Sequence, residues 1–253
     1  MRWLYFLLLV DPLRLAVAQS AAPAAPKSLH FDINAMPATR DSFRFRSRGE
    51  ERGWAVWQYE LRTLDTTQQV VYTASSEFRP VEEEHLRVVI NRLTGEPIST
   101  FHHVDLFSPE NDTVMVEHDL DVKGGEIAGR RRVGTKSGEV KIVPVLHAFT
   151  RGTILSDYLL FAGAVTNAIP GDSFTVAAYK EFADSLVTLS FVAGAPTTVR
   201  VPAGRFDVVP LTSGAFRIFA TREAPRRVVK GETLNGLFAF ELVHSGPPIP
   251  IPE

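Results

Sequence analysis

Apolar and polar residues alternate along most of the chain with the period of two that is typical of a β-strand. Trp57, Tyr59 and Leu61, for example, share one face of an extended segment, with Gln58 and Glu60 on the other. About a dozen short segments of this kind follow one another, separated by turn residues such as Gly, Pro and Asn. The pattern predicts a mainly β protein built on a large curved antiparallel sheet, either a half-barrel or a barrel.

The sharpest local signal is the segment Val201-Pro202-Ala203-Gly204. Pro202 fixes φ for the first corner of a turn, and Gly204 tolerates the positive φ that follows it. We therefore expect Pro202 and Gly204 to form the structural turn of a hairpin with a three-residue, bulged loop. Pro210 cannot donate a ladder hydrogen bond, so its strand is predicted to lie at an edge or to be bulged.

One segment has the spacing of a helix rather than a strand. Ser156 or Asp157 can cap its N-terminus, and Pro170 with Gly171 lies beyond its end. The pattern predicts a single helix near 156–167, with an apolar stripe that faces the concave side of the sheet. The candidate apolar contacts across that face are Leu159, Leu160, Phe161, Phe216 and Phe238.

The N-terminal region differs from the rest of the chain. Arg2 precedes the apolar segment Trp3–Val10, which is too short to span a bilayer, and Ala16-Val17-Ala18 fits a signal-peptide cleavage site. We expect four regions: a signal peptide (1–18), a disordered lead-in (19–41), a single β-rich domain (42–245) and a Pro-rich tail (246–253).

The amino-acid composition limits the classes of function that the protein can have. The 253 residues include 27 basic and 29 acidic side chains, and the formal charge of −2 argues against nucleic acid as a partner. No cysteine occurs, which excludes an acylated lipoprotein cysteine, disulfides and a cysteine nucleophile. Export without disulfides favours the bacterial periplasm and cell envelope. No segment is long and apolar enough to predict a transmembrane helix.

Histidines and acidic residues cluster in one region as candidate metal ligands. His103 and Asp105 share a strand face, His102 points to the opposite face, and His118 falls on a neighbouring strand. Because no third ligand stands at a diagnostic spacing, the sequence predicts no metal site and no cofactor. We expect these side chains to be polar residues of the surface.

A second candidate for chemistry is the segment Gly171-Asp172-Ser173-Phe174, which resembles the nucleophile block of lipase-like esterases. The partner block of that family places an Asp three residues before a His, and the nearest match here, Glu241 to His244, has the same spacing but the wrong acid. The alternative is a loop in which Gly171 turns and Asp172 caps. The sequence therefore predicts no catalytic residue, and a hydrolase using Ser173 is the weakest hypothesis.

The C-terminal half carries a family resemblance. The hairpin Val201–Asp207, the later segment Thr221–Lys230 and the loop Ile169–Asp172 resemble those of exported bacterial envelope proteins with an uncharacterised domain. The resemblance covers roughly residues 155–243. It implies a curved antiparallel sheet, similar in shape to lipoprotein-carrier folds, and no established activity.

Two functional hypotheses follow in addition to the hydrolase. The first is a non-enzymatic envelope module that binds a hydrophobic ligand, such as a lipid or an acyl chain. It rests on the 17 phenylalanines, several of which alternate along strands beside one apolar helix. The second is an assembly or scaffolding protein that pairs with an envelope protein partner through a sheet edge. A patch around Arg130–Arg132 that meets a lipid headgroup or an anionic partner is a further alternative to solvated strand edges.

Overall fold

The computed structural model describes residues 32, 35–36, 38–107, 112–160, 164, 166 and 169–250. These residues form sixteen β-strands in one sheet. In chain order the strands are β1 (Arg40–Ser47), β2 (Glu50–Leu64), β3 (Thr67–Phe78), β4 (Glu82–Asn91), β5 (Pro97–Leu106), β6 (Val114–Lys123), β7 (Glu126–Thr135), β8 (Lys141–Ala148), β9 (Ile154–Leu155), β10 (Ser173–Lys180), β11 (Ser185–Ala193), β12 (Thr197–Val201), β13 (Gly204–Ser213), β14 (Phe216–Thr221), β15 (Val228–Thr233) and β16 (Phe238–Gly246).

Strand β1 lies in the middle of the sheet because it pairs with β2 on one side and with β16 on the other. From this seam two arms extend. The first arm is the meander β1 to β8, and the second runs from β16 back through β15, β14, β13, β11 and β10 to β9. All neighbouring pairs are antiparallel except β9 with β10. The predicted fold class, a mainly β protein with a large curved sheet, is confirmed.

The ends of the two arms meet through side chains. Nε2 of His147, on β8, lies 2.6 Å from Oδ1 of Asp184, in the turn after β10. The Tyr179 hydroxyl, on β10, donates to the same Asp184 oxygen over 2.6 Å. No ladder joins β8 to the second arm among the described strands. The sheet is therefore curled towards closure, with a seam of side-chain contacts in place of backbone pairing.

An aromatic cluster lies under the central strands. The rings of Phe43 and Trp57 are 4.2 Å apart, and both approach Phe240 edge-on, at 5.6 and 5.1 Å. Phe43 is buried on β1 while its neighbour Arg44 reaches outward to Glu241. The period-two alternation thus places aromatic side chains from β1, β2 and β16 on the concave side, where edge-to-face pairs add to the stability of burial.

The predicted helix near 156–167 is wrong, because the helical element found there is much shorter. Within the described part of 156–167, the helical element with defined bounds is one 3-10 turn, Ser156–Tyr158. Residues 161–163, 165 and 167 lie outside the described residues. The reason is visible at Asp157, which the sequence assigned to a helix cap: its side chain binds histidines of the first arm instead of the following backbone.

The hairpin at Pro202 is confirmed with a shorter loop. Val201 pairs with Gly204, which leaves Pro202 and Ala203 as a two-residue loop, and Gly204 has the expected positive φ of 139°. Pro210 lies where the neighbour of β13 changes from β12 to β11, so its missing N–H falls at a break in the ladder. The exchange of β12 for β11 beside Pro210 depends on strands that are distant along the chain, so no local pattern encodes it.

The proposed signal peptide, 1–18, lies outside the described residues, as does the lead-in up to residue 31. Further along, Ala35 and Met36 are buried, and β1 begins at Arg40, two residues before the expected start of the domain. The last strand ends at Gly246.

Candidate functional sites: an interior cluster and a rim groove

Five ionisable side chains meet inside the curled sheet. His102 on β5 lies directly opposite His118 on β6, and Glu84 projects from β4 on the same face. Asp157 lies in the 3-10 turn after β9, and Glu181 follows β10. We call Glu84, His102, His118, Asp157 and Glu181 the interior cluster. The first three come from the first arm, and the last two come from the second.

Asp157 is the centre of the interior cluster. Its Oδ1 lies 2.9 Å from Nδ1 of His102, and its Oδ2 lies 2.8 Å from Nε2 of His118. The hydroxyl of Thr100 donates to Oδ2 over 2.7 Å. The side chains of Asp157 and His118 are fully buried. Two imidazole nitrogens therefore converge on the two oxygens of one carboxylate.

The two glutamates form the periphery of the interior cluster. Oε1 of Glu84 lies 2.6 Å from Nε2 of His102, and the Ser76 hydroxyl donates to Oε2 of Glu84 over 2.9 Å. Glu181 accepts hydrogen bonds from the Ser156 hydroxyl and from the backbone N–H of Asp157. Each contact either orients a histidine or fixes the turn that carries Asp157.

Burial and charge act on these groups in opposite directions. Burial disfavours the imidazolium of His102, but the carboxylates of Asp157 and Glu84 outweigh it and raise the pKa of His102 to about 10. Burial lowers the pKa of His118, which is neutral at pH 7. Burial also opposes ionisation of Asp157, yet the two histidines hold the pKa of its carboxyl well below the usual range. Burial and the Asp157 charge raise the pKa of Glu181.

The Phe182 ring covers the two histidines. Its centroid lies 4.5 Å from that of His102 and 5.0 Å from that of His118. Nδ1 of His118 is buried and has no hydrogen-bond partner within the described part of the chain. The interior cluster is therefore a closed polar centre that ties the two arms together and that offers nitrogen and oxygen ligands of the kind that transition metals bind.

The sequence anticipated part of this centre. His102 and His103 do point to opposite faces, and His118 is on the adjacent strand, as predicted. The prediction that they are surface residues is wrong for His102, His118 and Asp105, which are buried, while His103 is half-buried beside Glu117. Glu84, Asp157 and Glu181 were missed as members. The available signal was His118, a histidine at an inward position between the apolar residues Val116 and Leu120.

A second feature lies at one end of the sheet, where the β1–β2, β3–β4 and β15–β16 turns surround a cavity of about 570 Å³. We call it the rim groove. The Phe78 and Phe238 rings, 5.4 Å apart and edge-to-face, form part of its floor. Its apolar lining residues are Phe78, Pro80, Val81, Phe216, Leu237 and Phe238.

Three arginines border the rim groove: Arg48, Arg52 and Arg79. Arg52 pairs with Glu50, and Arg79 pairs with Glu77. No carboxylate pairs with Arg48 among the residues that the structure describes. The apolar floor and the cationic border together form a site that suits a ligand with an apolar body and an anionic end.

The structure brings together two of the sequence-predicted ligand contacts, since Phe216 and Phe238 both line the rim groove. Leu159 and Leu160 are half-buried and pack against the core, but they do not belong to the groove lining. Phe161 lies outside the described residues. Ser173 is exposed at the start of β10, and no hydrogen bond joins it to a histidine within the described ranges.

The fold defines a class, the barrel-like β proteins with one strongly curved sheet. No family model matches the chain, and no curated protein matches it. Among solved structures, the chain is similar to a β-barrel-like protein of the domain of unknown function DUF1849 from Brucella abortus, with 11% sequence identity and a TM-score of 0.51. The match covers 85% of this chain and 99% of that one. At this identity the similarity shows the fold, and an uncharacterised domain with a barrel-like fold agrees with the resemblance noted in the sequence.

No helix in the described part of the chain is long and apolar enough to cross a membrane.

Proposed function

We propose that the protein is an exported, non-enzymatic envelope module that binds an amphipathic anion, with an acyl chain and a carboxylate or phosphate end, in the rim groove. The observation that carries this proposal is the combination of an aromatic floor and an arginine border in one open cavity. The N-terminal pattern around Ala16-Val17-Ala18 supports export to the periplasm.

The size of the cavity suits such a ligand. Small-molecule sites commonly occupy about 300–1,000 Å³, and the rim groove, at about 570 Å³, falls within that range. Burial of apolar ligand surface contributes roughly 25 cal/mol per Å². Because Phe78 and Phe238 pack on Phe45 beneath them, the floor is held in place before any ligand arrives.

The charge at the border selects the head group. Arg48 is exposed and has a positive φ of 52°, which points to a backbone conformation set by the turn rather than by its side chain. Its own N–H donates to the carbonyl of Leu237 over 2.9 Å, so the β1–β2 and β15–β16 turns are joined beside the groove. The guanidinium of Arg48, beside the groove, can bind a carboxylate or a phosphate through two hydrogen bonds.

Fluorescence titration with a dansyl-labelled undecanoic acid tests the proposal. The full mature chain is expected to bind the probe at micromolar concentration, and Leu237→Asp is expected to weaken binding at least tenfold, because it places a charge on the apolar lining. Leu234→Asp is the matched control, since Leu234 lies in the same turn, is 50% exposed and is not part of the lining. Failure of the folded wild type to bind the probe, or equal losses in both variants, would overturn the proposal.

The edge-pairing alternative has less support. Strand β8 has a free edge and exposed apolar side chains at Ile142 and Leu146. Pro144, however, lies in the middle of β8 and removes a donor that an incoming strand would need. Sedimentation velocity of the wild type and of Leu146→Lys tests this alternative: association that the substitution removes would favour it, and a wild type that remains monomeric would exclude pairing with a second copy.

A further inference from the structure

We propose that the interior cluster binds one divalent first-row transition-metal ion through His102, His118 and Asp157. The nearest nitrogen and oxygen atoms of these three side chains all lie within 4.8 Å of one another. Two imidazoles and one carboxylate form a ligand set suited to Zn²⁺, Mn²⁺, Fe²⁺ or Co²⁺. This inference is independent of ligand binding in the rim groove.

The distances from the two histidine nitrogens to the Asp157 oxygens are close to those between neighbouring ligand atoms of a bound ion. Around a tetrahedral ion with bonds of about 2.0–2.1 Å, neighbouring ligand atoms are ~3.3 Å apart. Nδ1 of His102 and Nε2 of His118 lie 2.9 and 2.8 Å from the Asp157 oxygens. The three ligand atoms already lie within 4.8 Å of one another, so rotations of the side chains would open the space for an ion.

The surrounding hydrogen bonds are those expected around metal ligands. Ligating histidines commonly donate their second N–H to a carboxylate, and ligating carboxylates are themselves hydrogen-bonded. Here Glu84 lies on the far nitrogen of His102 at 2.6 Å, and Ser76 holds Glu84 in turn. Thr100 donates to Asp157. These contacts form a second observation, separate from the convergence of the three ligands.

A metal ion at this site would link the two arms of the sheet. His102 and His118 belong to the first arm, and Asp157 belongs to the second, so one ion would join the two ends of the sheet. Phe182 packs on both histidine rings and limits the access of solvent to the site. Metal binding of this kind stabilises the fold directly.

The experiment uses the full mature chain, refolded with and without Zn²⁺ and analysed for metal by mass spectrometry. We expect one equivalent of Zn²⁺ per chain, a higher Tm with the metal, and visible d–d absorption bands when Co²⁺ replaces it. Asp157→Asn and His118→Gln should lose the metal, and Glu84→Gln should weaken its affinity about 10- to 100-fold. His103→Gln, next to His102 on the opposite face, should bind as the wild type does.

The wild type alone decides the outcome if the ligand variants do not fold. X-ray absorption at the zinc edge should then show a shell of nitrogen and oxygen with the scattering pattern of two imidazoles. A wild type that binds no metal after refolding would overturn the inference and leave the interior cluster as a purely hydrogen-bonded joint. Metal that survives in both ligand variants, or that is lost in His103→Gln, would place the site elsewhere and overturn it as well.

Discussion

The rim groove is open, lined by aromatic rings and bordered by arginines, whereas the interior cluster is closed and consists of ionisable groups. The groove is built from turns at one end of the sheet, and each of its residues comes from a local hairpin or strand end. The cluster is built from strands β4, β5 and β6 of one arm and from two connections of the other. The contrast separates an open groove, which we propose binds a ligand, from a closed set of contacts that joins the two arms of the sheet. Four experiments test it.

The largest effect is expected from Asp157→Ala. The substitution leaves His102 and His118 buried without their shared acceptor, and removing one partner of a buried ion pair typically costs about 3–5 kcal/mol. Urea unfolding measures the loss. Asp119→Ala is the control, because Asp119 is an exposed acid on β6 whose pair with Arg130 spans 3.4 Å, and exposed pairs contribute about 0–1 kcal/mol. Similar losses of stability in the two variants would contradict the proposal that the interior cluster joins the two arms.

A smaller loss is expected from Gly231→Ala, beneath the rim groove. An added Cβ would lie 2.3 Å from the Phe240 ring and 3.0 Å from that of Phe216, so the aromatic cluster must shift. Such overpacking costs about 1–3 kcal/mol. Gly246→Ala, where the nearest atom is in the movable His244 ring, should change the free energy of unfolding by less than about 0.5 kcal/mol.

The free energy of unfolding is expected to depend on pH through Glu82, which lies two residues before Glu84 on the same face of β4. Burial and the Glu84 charge raise the pKa of Glu82 to about 8. Because the folded state holds this proton more tightly than the unfolded state, the stability that it contributes is full below the unfolded pKa of 4.5 and is lost as pH rises towards 8. The expected slope is at most about 1.4 kcal/mol per pH unit.

Urea unfolding at pH 5 and pH 8 measures this loss. Glu82→Gln should flatten the difference, and what remains in the variant reports other groups, including His102, whose stabilising contribution is lost between pH 6.5 and about 10. A variant with the same pH dependence as the wild type would show that Glu82 ionises normally in the fold.

The smallest effect is expected at the border of the rim groove. Arg48→Asn keeps a residue that accepts positive φ and removes the unpaired guanidinium. We expect a several-fold weaker affinity for the dansyl-labelled acid, no change for an uncharged analogue, and a Tm close to that of the wild type. Arg92→Asn, in the β4–β5 turn at the opposite end of the sheet, should leave both affinities unchanged.

The strands and most turns could be predicted from sequence because their signals are local. Alternation in β1 or β6 and the Pro202–Gly204 turn depend on neighbours within a few residues. The interior cluster could not be predicted in the same way. Asp157 lies 55 residues from His102, and its position after Leu155 looks like a helix cap when it is considered alone. The curl of the sheet brings these residues together, and the curl depends on the whole set of strands.

The pairing of β1 with β16 has a consequence for the order of assembly. Arg44 and Glu241, which bind each other across these strands, are 197 residues apart in the chain. The hairpins within each arm can form early from short-range contacts, but closure of so long a loop is slow and comes late. The central junction of the sheet therefore stays open until β16 has been made. Until then β1 lacks one of its two partner strands. A chain that is exported unfolded would therefore stay unfolded long enough to pass through a translocation pore.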